Sequence, residues 1–128
     1  MRAPSSYDYA LIRVVPSVER GECLNVGVIL FSRTLRFLGV RIHVDEERLR
    51  TLAPDLDMAA VQRQLDDIVQ ICKGGQEAGQ LAYMSQSERF HWLVSPRSTI
   101  IQPSPVHVGM STDPEATLEH LLKTMVYR

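Results

Sequence analysis

The stretch YDYALIRVVPSVERGECLNVGVILF, Tyr7 to Phe31, contains two apolar segments separated by a short polar connection. The first segment, Tyr7 to Val15, is rich in aromatic and β-branched residues and ends at Pro16, which is typical of a strand. The second segment, Leu24 to Phe31, predicts another strand. We expect the two strands to pair as neighbours, with the first in a central position because it is apolar on both faces.

The segment after this hairpin, Leu35 to Ile42, predicts a third strand of the same meander. Gly27 and Gly39 lie inside predicted strands, where glycine often marks a bulge or the close approach of another backbone. We therefore expect a helix or a loop to lie flat against the sheet at these positions.

Three segments downstream carry helix signals. Asp45 to Leu52 predicts a short helical turn, and Asp57 is expected to cap the main helix, which Gly74 closes. Asp113 followed by Pro114 predicts the start of the last helix, because the aspartate accepts free amide protons and proline lacks one. Apolar residues recur at helical spacing in both helices: Met58, Val61, Leu65, Ile68, Val69 and Cys72, then Leu118, Leu121, Leu122 and Met125.

The order of these elements predicts an α+β fold in a single domain spanning residues 1–128. We expect a mainly antiparallel sheet with the helices packed on one face, since one sheet and one helical layer suffice for a chain of this length. Residues 1–6 are expected to form a disordered or extended tail, and residues 74–80 a loop.

Composition excludes several classes of protein. The formal net charge of −1 and a pI near 6.4 give no global field that would attract nucleic acid. The best apolar run, Val26 to Phe31, is far shorter than the roughly 20 residues that span a bilayer. The first residues do not show the pattern of a secretory signal, so we expect none. The two cysteines, Cys23 and Cys72, suggest neither a disulfide framework nor a zinc cluster. We expect a cytoplasmic protein without membrane association.

The segment FHWLVSPRSTIIQPSPVHVG, Phe90 to Gly109, combines apolar strand-like pieces with polar groups held between prolines. Guanidinium and hydroxyl groups in a short turn can converge on a phosphate, sulfate or carboxylate. The candidate anion-binding residues are Arg97, Ser98, Thr99, Gln102, His107 and His91. The structural alternative is that serine and threonine are common turn residues and that Arg97 pairs with an internal carboxylate.

A second polar cluster surrounds the connection between the first two strands and contains Arg13, Glu19, Arg20 and Asn25. Opposite charges in one loop commonly close it by pairing with each other. Asn25 lies within an apolar strand and needs hydrogen-bond partners if it is buried. It could also connect this cluster to the Arg97 segment, in which case the two clusters would form one site.

Motifs of the well-marked enzyme classes are absent from the sequence, including phosphate-binding glycine loops and His-Glu-x-x-His. The four histidines are scattered, so we expect no metal site and no cofactor. Cys72 lies on the apolar stripe of the main helix, and Cys23 is expected to be a half-buried strand residue rather than a nucleophile.

The stretches YDYALIRVVPSVERGECLNVGVILF and ERFHWLVSPRSTIIQPSPVHVG, together with DPEATLEHLL, resemble the bacterial family catalogued as domain of unknown function 3037. The resemblance runs over nearly the whole chain. That family carries no established reaction, cofactor or catalytic residue, so the resemblance implies none. This chain differs from the family pattern at Cys23, where an aromatic or aliphatic residue is expected. The residues at its motif positions are Arg13, Pro16, Glu19, Arg20, Asn25, Gly27, His91, Trp92, Pro96, Arg97, Ser98, Gln102, Pro103 and His107.

The resemblance also implies a partner, a kinase-like protein of the persistence-toxin type encoded nearby. Because this compact α+β domain shows no recognisable catalytic constellation, our leading hypothesis is a small binding or accessory module rather than an enzyme. The alternative is an enzyme or sensor acting on a phosphorylated small molecule or nucleic acid, with Arg97 and Ser98 as anion contacts and His107 or His91 as acid and base. A third hypothesis is a homo-oligomer that pairs through exposed sheet edges.

Overall fold

The predicted hairpin forms the centre of a five-stranded antiparallel sheet in the computed structural model, which describes residues 3–17, 19–75, 79, 81, 83–97 and 99–127. The strand order is β3-β2-β1-β4, and β5 also pairs with β1. The strands are β1 (Ser5–Ser17), β2 (Glu22–Ser32), β3 (Phe37–Ile42), β4 (Ile101–Pro103) and β5 (His107–Ser111). The α+β fold in a single domain is confirmed.

Two short strands share one edge of the long strand β1. β5 pairs with its first half and β4 with its second half. Between them, Ser104 lies opposite Leu11: the Leu11 amide donates to Ser104 Oγ at 2.7 Å, and the Ser104 amide donates to the Leu11 carbonyl at 2.8 Å. The serine hydroxyl therefore provides the ladder contact that a continuous strand would have made with its backbone.

Four helices are present among the described residues, one more than the three that the sequence predicts. They are α1 (Glu46–Leu52), α2 (Met58–Lys73), α3 (Gln86–Leu93) and α4 (Pro114–Met125). The predicted N-caps Asp57 and Asp113 each accept a hydrogen bond from the amide three residues later. Gly74 ends α2 with a φ of 75°, in the left-handed region that favours glycine.

The helices cover both faces of the sheet, which corrects the expectation that they pack on one face. Helices α1, α2 and α3 cover the face that includes Ala10, Ile12 and Ile29, and α4 covers the face that includes Leu11 and Val28. The physical reason is that β1 and β2 are apolar on both sides, so each face needs its own cover. At Gly39 a Cβ atom would meet the Phe37 ring at 2.6 Å and Leu118 of α4 at 3.0 Å, so a helix does approach there. At Gly27 the expectation of a helix or loop is wrong, because the nearest atom to a Cβ would be the carbonyl oxygen of Arg41 in the neighbouring strand, at 2.8 Å.

A β-bulge interrupts the β1–β2 ladder. Ile12 pairs with Gly27 and Arg13 pairs with Asn25, so Val26 is the additional residue on β2. A bulge of this kind shifts the alternation of side chains along the bulged strand. It places Asn25 on the α4 face beside Arg13, whereas strict alternation from Ile29 would direct it into the core under α2.

Two boundaries differ from the sequence predictions. Ser5 and Ser6 belong to β1 and pair with Ser111 and Met110, so the sheet includes part of the expected tail. Phe90 and the residues up to Leu93 are helical rather than strand-like, because α3 begins at the capping box formed by Ser85 and Glu88. In the predicted loop 74–80, residues 76–78 and 80 lie outside the described residues. None of the described helices combines the length and the apolar character needed to cross a membrane.

Candidate functional site

Arg97 and Trp92 form a rigid pair at the end of α3. The Arg97 guanidinium carbon lies 4.3 Å from the centre of the Trp92 ring, a cation–π arrangement. Arg97 Nη2 also donates a 2.9 Å hydrogen bond to the Trp92 carbonyl in the last turn of the helix. Pro96 restricts the backbone immediately before Arg97. The stack and the hydrogen bond together hold the guanidinium in one place.

A hollow of about 270 Å³ opens beside this pair, between α2 and β4. Its floor is apolar and includes Ile68, Ile71 and Ile101, and its rim carries the polar side chains of Gln64, Asp67 and Gln70. We call this region, with Trp92 and Arg97, the Trp92 surface. Trp92, the only tryptophan of the chain, is 40% exposed.

The guanidinium of Arg97 is half-buried, and burial lowers its pKa from the ordinary arginine value. Within the described part of the chain, no carboxylate forms an ion pair with Arg97. The alternative that Arg97 pairs with an internal carboxylate is therefore not seen among the described residues. Among the described residues, Arg97 donates one side-chain hydrogen bond, to the Trp92 carbonyl, out of the five N–H donors of a guanidinium.

The residues next to Arg97 in sequence have local roles. Thr99 Oγ1 donates to the Ile101 carbonyl at 2.7 Å, which closes the turn before β4. His91 is exposed on α3, and its Nδ1 lies 2.6 Å from the carbonyl oxygen of Ser87. Ser98 lies outside the described residues.

Gln102 and His107 lie on the other side of the sheet from Arg97. Gln102 pairs with Arg13 across β4 and β1, and its Nε2 donates to the Thr99 carbonyl at 2.9 Å. His107 lies opposite Tyr9, and the two rings are tilted with centroids 5.3 Å apart. The structure therefore does not bring Arg97, Gln102 and His107 together.

The second predicted cluster divides into two parts. Arg20 Nε lies 2.8 Å from Glu22 Oε1, an exposed pair that closes the connection between β1 and β2. Glu19 is exposed in the same turn. Arg13 and Asn25 instead face each other across β1 and β2.

Arg13 lies between Asn25 and Gln102 in one row across three strands. Side chains that are paired in this way have Cβ atoms about 5 Å apart. The two predicted clusters therefore meet through Gln102, on the α4 face, and not through Arg97.

Sequence reasoning missed two groups of residues around these places. The polar rim of the Trp92 surface comes from α2, where Gln64, Asp67 and Gln70 are spaced three residues apart and lie along one side of the helix. Arg48 of α1 lies near Asn25 although the two are distant in sequence. Helical spacing could have indicated the first group, but no local signal indicates that Arg48 approaches β2.

No group of three or more histidine, cysteine, aspartate or glutamate side chains among the described residues could hold a metal ion. Cys72 is buried, and burial raises the pKa of its thiol to about 12. Cys23 lies in β2 and is exposed, not half-buried as expected.

Comparison with known proteins identifies the family. Searches of curated proteins and of solved structures find no match. The family model described as "Protein of unknown function (DUF3037)" matches residues 9–126 of the 128-residue chain. This match includes the hairpin, the Trp92 surface and α4, and it confirms the resemblance seen in the sequence. The chain therefore belongs to the DUF3037 family, whose function is not known.

Proposed function

We propose that this protein is a protein-binding module and that its docking site is the Trp92 surface. The observation that carries the proposal is the position of the sole tryptophan. Trp92 is 40% exposed beside a hollow, and a guanidinium without a described carboxylate partner lies against its ring. A tryptophan that is partly exposed, held in place by a cation–π stack and set beside an apolar hollow suits a contact with another molecule.

The chemistry of the Trp92 surface resembles the centre of a protein interface. Tryptophan and arginine are enriched among the residues that contribute most to binding between proteins. The apolar floor formed by Ile68, Ile71 and Ile101 can accept an apolar side chain, and the polar rim suits the edge of such an interface. Because the stack and hydrogen bond already hold Arg97, little conformational entropy is lost on binding.

The partner segment that fits this surface has two features. It presents an apolar or aromatic side chain to the floor of the hollow, and it presents a carboxylate to Arg97, since a guanidinium binds carboxylates through two parallel hydrogen bonds. The kinase-like protein implied by the family resemblance is the first partner to test.

The test compares four versions of the tagged protein expressed in the host: wild type, Trp92→Ala, Arg97→Ala and Tyr83→Ala. Tyr83 is the matched control because it is 94% exposed and lies outside the Trp92 surface. Proteins retained by wild type are identified by quantitative mass spectrometry, and the kinase-like candidate is purified and titrated against each variant. Isothermal titration calorimetry measures the binding of that candidate to all four versions, because Trp92→Ala removes the only tryptophan and with it any tryptophan fluorescence signal.

We expect Trp92→Ala and Arg97→Ala each to raise the dissociation constant at least about 30-fold, as for residues at the centre of an interface. Tyr83→Ala should leave the dissociation constant unchanged. Arg97→Lys keeps the charge but loses the planar fork, so it should bind between wild type and Arg97→Ala. Retention of the same protein by all four versions, or retention of none, would refute the proposal. Circular dichroism melts confirm that each variant is folded.

A second candidate function, self-association, is favoured by the exposed edge at β5. Val108 and Met110 are 71% and 65% exposed and lie on one face of this strand. Antiparallel pairing of two copies about Gly109 would set Val108 of each copy opposite Met110 of the other. Sedimentation at high concentration tests this: Val108→Lys should convert a dimer to a monomer, and a monomeric wild type removes the idea.

A further inference from the structure

A second hollow, also of about 270 Å³, lies where the start of β2 meets α1 and the end of α4. We call it the arginine hollow because Arg13 and Arg48 both line it, together with Asn25, Cys23 and apolar side chains that include Leu24 and Val126. It shares no lining residue with the Trp92 surface. Among the described residues that line it, none is an aspartate or glutamate.

Arg13 has a donor that the fold leaves unused. Its side chain is half-buried, and its Nε is buried without a hydrogen-bond acceptor among the described residues. Buried polar atoms are nearly always hydrogen-bonded in native proteins, so such an atom needs an explanation. A guanidinium is always charged and carries only donors, so the group that satisfies it must be an acceptor, and preferably an anion.

Arg48 brings a second positive charge to the same hollow. Neither Arg13 nor Arg48 forms an ion pair within the described part of the chain. The carboxylate of the nearby Glu22 is already 2.8 Å from Arg20, and Glu47 lines the adjacent hollow rather than this one. Two like charges that face one small hollow repel each other, and a bound anion relieves that repulsion.

Asn25 lines the arginine hollow and offers a hydrogen-bond donor to it. The bulge at Val26 directs Asn25 to the side of Arg13, and bulges often re-aim a side chain near a functional site. Asn25 Nδ2 donates to the Met125 carbonyl at 3.1 Å, which occupies one of the carbonyls that make a helix C-terminus unfavourable for anions. The amide nitrogen has a second hydrogen that remains for a ligand.

We propose that the arginine hollow binds a tetrahedral oxyanion, the phosphate group of free phosphate or of a small phosphorylated molecule. Two guanidinium groups and one amide hydrogen match the several acceptor oxygens of a phosphate. This site is independent of protein binding at the Trp92 surface, and it differs from the anion site expected around Arg97.

The experiment follows the full-length, ¹⁵N-labelled protein by NMR. Inorganic phosphate is added in one titration and methyl phosphate in another, both at constant ionic strength. The amide signals of Leu24 and Asn25 report the arginine hollow, and the indole signal of Trp92 reports the other surface. Arg48→Ala is the main variant because Arg48 is exposed and its loss should leave folding intact. Arg63→Ala is the matched control, since Arg63 is an exposed helical arginine outside the hollow.

We expect saturable shifts at Leu24 and Asn25 and none at Trp92. Arg48→Ala should weaken phosphate binding at least about tenfold, the loss expected for a charge-assisted hydrogen bond, and Arg63→Ala should leave it unchanged. Tighter binding of methyl phosphate would identify an esterified phosphate as the ligand, and tighter binding of inorganic phosphate would identify the free ion. The absence of saturable shifts, or equal binding by wild type and Arg48→Ala, would overturn the proposal.

Discussion

Replacing Ser104 with alanine tests how the sheet is completed where β4 ends and β5 has not yet begun. Ser104 is 3% exposed, and its Oγ accepts the Leu11 amide at 2.7 Å and donates to the Pro105 carbonyl at 2.9 Å. Ser104→Ala removes the acceptor, while the backbone amide of Leu11, a residue that is 8% exposed, stays in the same place. A buried donor without a partner is therefore left behind.

The size of the effect follows from that orphaned donor. Leaving a buried donor unsatisfied costs about 1–3 kcal/mol, so we expect the free energy of unfolding to fall by about 2 kcal/mol. The Pro105 carbonyl adds little because Pro105 is exposed and water can replace the hydroxyl. Globular proteins unfold with about 2.1 cal/mol/K of entropy per residue, so a loss of about 2 kcal/mol over 128 residues lowers Tm by about 7 °C.

Urea unfolding measures the loss, with an unchanged slope expected because the exposed surface does not change. Ser95→Ala is the matched control: its Oγ donates to the His91 carbonyl at 2.7 Å but is exposed, so less than about 0.5 kcal/mol should be lost. Hydrogen exchange adds a local measurement, because the Leu11 amide should lose protection while the Ile12 amide, which points to β2, keeps it. If Ser104→Ala costs no more than Ser95→Ala and Leu11 stays protected, the reasoning is wrong.

Three further predictions concern the core, the cysteines and the charge pairs. Gly27→Ala should destabilise the protein by about 2 kcal/mol in urea unfolding, because the new Cβ would meet the Arg41 carbonyl at 2.8 Å; a neutral effect would contradict this. Ellman titration at pH 8 should find one reactive thiol, Cys23, in the native protein and two after unfolding. Burial raises the pKa of Cys72 from 9.0 to about 12, so its contribution to stability is full below pH 9 and is lost as pH rises towards 12. Glu119→Gln breaks a 2.6 Å contact with Arg41 and should cost under about 1 kcal/mol; the cost should shrink further in about 1 M salt, and a cost independent of salt would argue against an ionic contact.

Local sequence patterns predicted much of the fold. The hairpin from Tyr7 to Phe31, the capped helix that begins after Asp57 and the Asp113–Pro114 helix start are all present in the structure. These elements depend on side-chain periodicity, cap hydrogen bonds and proline geometry, which act over a few residues. The capping box of Ser85 and Glu88 was an equally local signal, and it would have identified α3.

The candidate sites needed more than local pattern. The sequence singled out Arg97 and its proline-rich surroundings, but the polar rim from α2 depends on how that helix packs against α3 and β4. The proline-rich segment also had a structural purpose that pattern did not show. Pro103 and Pro105 flank Ser104, whose hydroxyl continues the β1 ladder across the gap between two strands.

The sequence by itself determined that this chain forms an antiparallel α+β domain, because periodicity and capping depend on residues that are close together in the chain. Only the tertiary structure decided that helices cover both faces, that Asn25 turns towards Arg13 and that Arg48 joins them. The physical reason is that bulge position and helix placement minimise the exposed apolar area of the whole sheet. That minimum depends on contacts between residues that are far apart in the chain.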